Sequence, residues 1–196
     1  MRILLALGLT LPAIVAFAQT ATPGAGVPLD VATRRAANIS GLRYELALSI
    51  PEALSSPLTG VIVIRFQLKD ASTPLVLDFE TSREHVKTVA ANGTPSAFEY
   101  VNGHVVLPAK ALIKGDNVIR IEFNAGDASL NRSADFLYTL FVPARARLAF
   151  PVFDQPDMKG RWTLMLEHPA KWQSAANGAE LSRTTTAAGD RTTVKF

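Results

Sequence analysis

The sequence predicts an all-β domain, built as an antiparallel β-sandwich or a saddle-like, folded-over sheet. Three observations predict it. Apolar and polar residues alternate over many short segments. Asn-Gly pairs stand between such segments at Asn92-Gly93 and Asn102-Gly103, and this dipeptide tolerates the positive φ of tight hairpins. No stretch carries the periodicity of a long amphipathic helix.

Taken in order, the chain opens on Arg2 and an apolar run from Ile3 to Phe17, closed by Ala16-Phe17-Ala18. A positive start, an apolar core and an A-x-A site describe a cleavable export signal over residues 1–18, cut after Ala18. Pro12 and the short run argue against a membrane anchor. Residues 19–34 are Thr/Pro/Gly/Ala-rich and read as a flexible linker, with a short helical turn over Val31 to Ala37. The β-domain is expected over 35–196. Leu42, Tyr44, Leu46, Leu48 and Ile50 alternate with polar or small residues until Pro51, a half-buried strand. Gly60 to Lys69 repeats the pattern, and Val61 and Val63 suggest cover on both faces. Leu75, Leu77 and Phe79 point one way, Asp78 and Glu80 the other. Short strands at Val86–Ala90, Phe98–Val101 and His104–Leu107 flank the two Asn-Gly turns. Lys114 to Asn117 reads as a turn, followed by a strand through Ile119, Ile121 and Phe123. Phe136–Val142 and Trp162–Leu166 read as further strands.

Composition narrows the function. Of 196 residues, 48% are hydrophobic and 19% charged, so the chain folds rather than staying disordered. There is no cysteine, which excludes disulfides, thiol nucleophiles and Cys-based metal sites. A secreted chain without cysteine fits a bacterial periplasm or cell exterior. The net charge of +3 comes without a Lys/Arg block, so neither nucleic acid nor a membrane surface is an expected partner. Asn38, Asn92 and Asn131 each open an N-x-S/T triplet, read as chance matches.

Chemical constellations are sparse. His85, His104 and His168 lie far apart in sequence and form no H-E-x-x-H pair, so they read as surface or turn residues rather than a zinc site. No G-x-S-x-G elbow and no phosphate loop is present. Asp78 and Glu80 share a strand face, close enough to couple for acid–base work, although a solvated outer face accounts for them better. The most specific stretch is Phe136 to Pro169. Within it Phe150-Pro151-Val152-Phe153-Asp154-Gln155-Pro156 packs two prolines and two aromatics into a restricted, extended run, with Asp154 placed to cap a turn.

That stretch resembles the end of the N-terminal β-domain of M1-type zinc aminopeptidases, the gluzincins related to aminopeptidase N. Their run A-R-x-x-F-P-C-F-D-E-P is similar to Ala146–Pro156, with Val152 for Cys and Gln155 for Glu. Ile39–Leu46 resembles the domain's opening strand and Asp116–Phe123 its G-x-N-x-L-x-I-x-F strand. The resemblance implies a non-catalytic domain whose Arg147, Phe150, Pro151, Phe153, Asp154 and Pro156 hold its structure and shape an inter-domain face. It implies a zinc-peptidase catalytic domain as partner, in cis or in trans, with peptides as further ligands. It implies no cofactor and no metal in this chain. The family's H-E-x-x-H, G-x-M-E-N loop and catalytic Tyr belong to the second domain, and no catalytic residue is expected here. The family's Gln or Glu that anchors a peptide's α-amino group aligns with Val142, which cannot accept a hydrogen bond. The sequence ends at Phe196 inside what reads as a late strand, so a C-terminal truncation is expected. A freestanding periplasmic β-sandwich that binds a protein, peptide or glycan is the alternative.

Overall fold

The computed structural model describes residues 22–196. The expected signal segment and residues 19–21 lie outside the described residues. Helix α1 spans Leu29–Asn38. It is longer than the turn expected over Val31–Ala37 and takes in the end of the stretch read as a linker. Ala and Arg favour it, Asp30 and Arg34 pair along it at 2.7 Å, and only Val31 and Arg35, one turn apart, are buried. The chain passes from α1 into the first strand without a loop.

Thirteen strands are found among the described residues: β1 (Ile39–Ser49), β2 (Thr59–Leu68), β3 (Leu75–Asp78), β4 (Val86–Ala91), β5 (Thr94–Pro95), β6 (Glu99–Val101), β7 (His104–Leu107), β8 (Gly115–Asn124), β9 (Leu130–Arg132), β10 (Leu137–Thr139), β11 (Arg161–Pro169), β12 (Ser182–Thr185) and β13 (Arg191–Lys195). Eight form one sheet in the order β12-β13-β11-β1-β2-β8-β4-β5, three form β3-β7-β6, and β9 and β10 pair alone. All pairs are antiparallel except β1 with β11. All of the chain from β2 to β10 lies between these two strands, so their parallel pairing needs no tight turn.

The alternation read from the sequence is the burial pattern. Leu42, Tyr44, Leu46 and Leu48 of β1 sit beside Ile62 and Ile64 of β2, which sit beside Ile119 and Ile121 of β8. This row and Leu75, Leu77, Val105 and Leu107 of the smaller sheet join one core. On the other face Glu45 pairs with Arg65 at 2.8 Å, while Val61 and Val63 are only half-buried. Both Asn-Gly turns form as expected, with Asn92 at φ 53° and Asn102 at φ 49°. The segment read as a turn at Gly115–Asn117 instead starts β8. Asn117 is buried, accepts from the backbone N–H of Ile113 at 3.0 Å and receives the amide of Asn92 at 3.1 Å. The strand expected over Phe136–Val142 shrinks to β10, because its partner β9 is only three residues long.

Gly126 fixes where the chain beyond β8 meets the motif. A Cβ there would lie 2.1 Å from the carbonyl oxygen of Leu148 and 2.6 Å from Thr81 Cγ2. Backbone cannot retreat as a flexible side chain would. Gly126→Ala is therefore expected to destabilise the domain by about 1–3 kcal/mol, read as a lowered urea midpoint at unchanged slope.

Candidate functional site: a motif-centred network and an exposed apolar hairpin

The F-P-x-F-D-x-P run lies against the end of β3. Val152 forms an antiparallel bridge to Asp78, with N–H···O distances of 2.8 and 3.0 Å. Phe150, Pro151 and Phe153 are buried, Asp154 is partly buried, and Pro156 is exposed. Phe150 meets Phe141 edge-on at 5.3 Å and Trp162 at 5.7 Å, and Phe153 meets Phe66 at 5.9 Å. Tyr44 stacks on Trp162 at 4.1 Å, and its hydroxyl accepts the N–H of Phe153 at 3.2 Å. Burial pushes the Tyr44 phenol well above its ordinary range, so the ring stays neutral. The aromatic and proline residues of the run thus act inside the domain. Arg147, Asp154 and Pro156 are the members that reach an open depression of about 500 Å³ beside α1.

Asp78 is not on a solvated face. Its side chain is fully buried, against 5% exposure for Arg35. Arg35 of α1 donates to both carboxylate oxygens, at 2.7 and 2.5 Å. The N–H of Asp154 donates to the same carboxylate at 2.9 Å. The carbonyl oxygen of the Gln155 side chain accepts from Arg35 at 3.4 Å, while its amide donates to the Ala32 backbone at 3.1 Å. Gln155 therefore locks the motif to α1. Glu80 turns outward and pairs with Arg147 at 2.7 Å. Asp78 and Glu80 are thus engaged by separate arginines, Asp78 buried rather than on the solvated face expected for it. Asp154 does not cap the turn that follows it: its carboxylate accepts the N–H of Arg147 at 3.1 Å, at the 3₁₀ turn Ala146–Leu148. Burial raises the Asp154 carboxyl above its usual range, against the pull of Arg147.

The histidines correct the sequence reading too. His104 and His168 are buried. His168 bonds the Pro169 carbonyl and the Ser174 hydroxyl, and His85 bonds the Asn124 carbonyl. Among the described residues no group of three or more His, Cys, Asp or Glu side chains is placed to hold a metal ion. The donor set does not fit a zinc centre. A cleft of about 740 Å³ lies between α1 and the smaller sheet; Val31, Leu68, Val76, Phe98, Glu99 and Lys110 are among its lining residues.

What the molecule offers outward is the β9–β10 hairpin and its continuation. Leu137 and Phe141 pack on the core, while Phe136, Tyr138, Leu140 and Val142 are exposed, Val142 at 72%. Contiguous exposed apolar rows mark interaction surfaces. Arg132 holds the hairpin: its guanidinium donates to the backbone carbonyls of Pro51, Ala53, Leu54 and Ser56. The Arg132 clamp was not foreseen, because its acceptors are backbone atoms with no sequence signature.

Fold and motif together define an all-β domain built around a motif-centred network, with an apolar hairpin row left exposed. The chain matches the peptidase M1 N-terminal domain over residues 40–196 and belongs to that family. It is 25% identical over 167 residues to aminopeptidase N of Streptomyces lividans, covering 79% of this chain and 19% of that protein. An M1 zinc metallopeptidase from Deinococcus radiodurans shares the fold at a TM-score of 0.67 and 19% identity, covering 81% of this chain and 38% of that one. A two-domain M1 zinc metallopeptidase variant bound to L-arginine gives 0.68 and 20%, with 81% and 39% covered. The chain thus spans a minor part of each relative's length.

If the hairpin row serves contact and not folding, removing its apolar character costs the domain little. Leu140→Asp is expected to change unfolding free energy by less than about 0.5 kcal/mol, measured by urea titration of both forms.

Proposed function

We propose that this domain walls one side of a zinc-peptidase cleft, seated through the row Phe136, Tyr138, Leu140 and Val142 on a catalytic domain supplied in cis or in trans. The exposed row carries the reading: the flanking Leu137 and Phe141 are drawn into the core, and these four are left for a partner. Family membership supports the kind of partner, as do the names of its relatives, an aminopeptidase N and M1 zinc metallopeptidases. Zinc and the peptide-cleaving groups belong to the partner in this reading. The sequence contains no H-E-x-x-H, and the described residues assemble no substitute. The domain's contribution is steric, limiting the cleft to peptide N-termini. Val142 sits at the end of the row with no hydrogen-bonding atom in its side chain, so the peptide's amino group is held by other residues. The leader through Ala18 and the lack of cysteine support a secreted or periplasmic location.

The test is intact mass and zinc content of the protein purified under native conditions from its source. A zinc-bearing species far above 21.1 kDa, or a stoichiometric complex of this chain with a zinc peptidase, is expected. Leu140→Asp should then lower the peptidase activity of that species. A zinc-free chain near its own mass with no peptidase attached overturns the reading and favours a freestanding binding module.

A further inference from the structure

The face of the smaller sheet beneath α1 holds a titratable group that docking onto a catalytic domain does not use. His104 of β7 stands opposite Asp78 of β3 in register. Its ring is 1% exposed, and Nδ1 lies 3.8 Å from Asp78 Oδ1. Neither ring nitrogen has a hydrogen-bond partner among the described residues. A buried polar ring without a partner costs stability wherever it stands. Here it stands beside the one carboxylate that α1 grips through Arg35.

The charged groups around it come from several elements: Asp78 on β3, Glu80 just beyond it, Arg35 on α1, and Arg147 and Asp154 from the motif. Burial holds His104 below the ordinary histidine range. Asp78 and Glu80 pull it upward, and Arg35 and Arg147 add to the depression. Helix α1 is the element placed to respond, since its hold on the motif runs through Arg35 and Gln155. The strands are held by ladders, whereas α1 buries only Val31 and Arg35.

We propose that His104 makes the docking of α1 sensitive to acid: with α1 docked, the ring is kept neutral against Asp78, and protonation favours a form in which α1 lifts and the charged ring is hydrated. The sign follows from linkage. A histidine depressed in the docked form binds fewer protons there than in the released form. Docking is therefore at full strength above the ordinary value of about 6.5 and weakens as pH falls below it. Protonation also sets a second cation on the carboxylate that Arg35 needs. Asp154 cannot mimic this effect. Its carboxyl is raised, so acid favours the folded form at that position.

The test is hydrogen exchange of the full chain at pH 7.5 and pH 5, with each amide corrected for its intrinsic rate. Protection of the α1 amides is expected to fall by up to about thirty-fold, the limit set by a released histidine of ordinary pKa, while β1, β2 and β8 keep theirs. The α1 change should begin near the ordinary histidine value and level off where the His104 ring, followed by NMR in the same unaltered protein, itself titrates. His104→Phe should leave α1 protection equal at the two pH values. Unchanged α1 protection in the parent protein, a loss that continues below the ring's own titration, or equal loss in the central strands overturns the proposal.

Discussion

The buried pair of Arg35 and Asp78 is the interaction on which the rest of this domain depends. Each charge alone would cost several kcal/mol to bury. Together they are bound through two hydrogen bonds of 2.7 and 2.5 Å, with further contacts from the N–H of Asp154 and the side chain of Gln155. Four segments distant in sequence meet there: α1, the end of β3, the motif and, through His104, β7. A hydrophobic contact would bring these segments together but would not fix their orientation. A bidentate guanidinium–carboxylate pair does both.

From that anchor the motif extends in two directions. Its aromatic residues run inward, linking Phe66, Tyr44 and Trp162 across β2, β1 and β11. Its earlier half runs outward, where Phe141 packs on Phe150 and leaves Val142 and Leu140 in solvent. The same short stretch therefore secures the core and presents the apolar row. Arg132 steadies the other end of the hairpin on the Pro51–Ser56 loop. The position of the exposed apolar row is in this way set by burial some residues away from it.

Much of this was legible in the sequence, for physical reasons. In β1, β2 and β8 one face meets the core and the other meets water, so period-2 alternation maps directly onto burial. Asn92-Gly93 and Asn102-Gly103 announced their hairpins because few residues accept that backbone. The A-R-x-x-F-P-x-F-D-x-P run was legible as a family resemblance. Asp78 was not legible as a buried residue, because alternation places it correctly on the far face of β3 but cannot say that a helix 43 positions earlier covers that face. Phe136–Val142 misled in the opposite sense: its alternation is real, but its outward face has no partner within the described residues. His104 and His168 were misplaced on the surface for want of any local signal, their burial being decided by neighbours distant in sequence.

The measurement that tests the central claim most directly is a double-mutant cycle on Arg35 and Asp78, with unfolding free energies taken from urea titrations. Arg35→Met or Asp78→Leu alone leaves a buried charge without its partner and is expected to cost about 3–5 kcal/mol. The double variant should cost well below the sum, with a coupling energy of about 2–3 kcal/mol. Additivity within about 0.5 kcal/mol would contradict the claim and show that α1 and the motif are held together by other contacts.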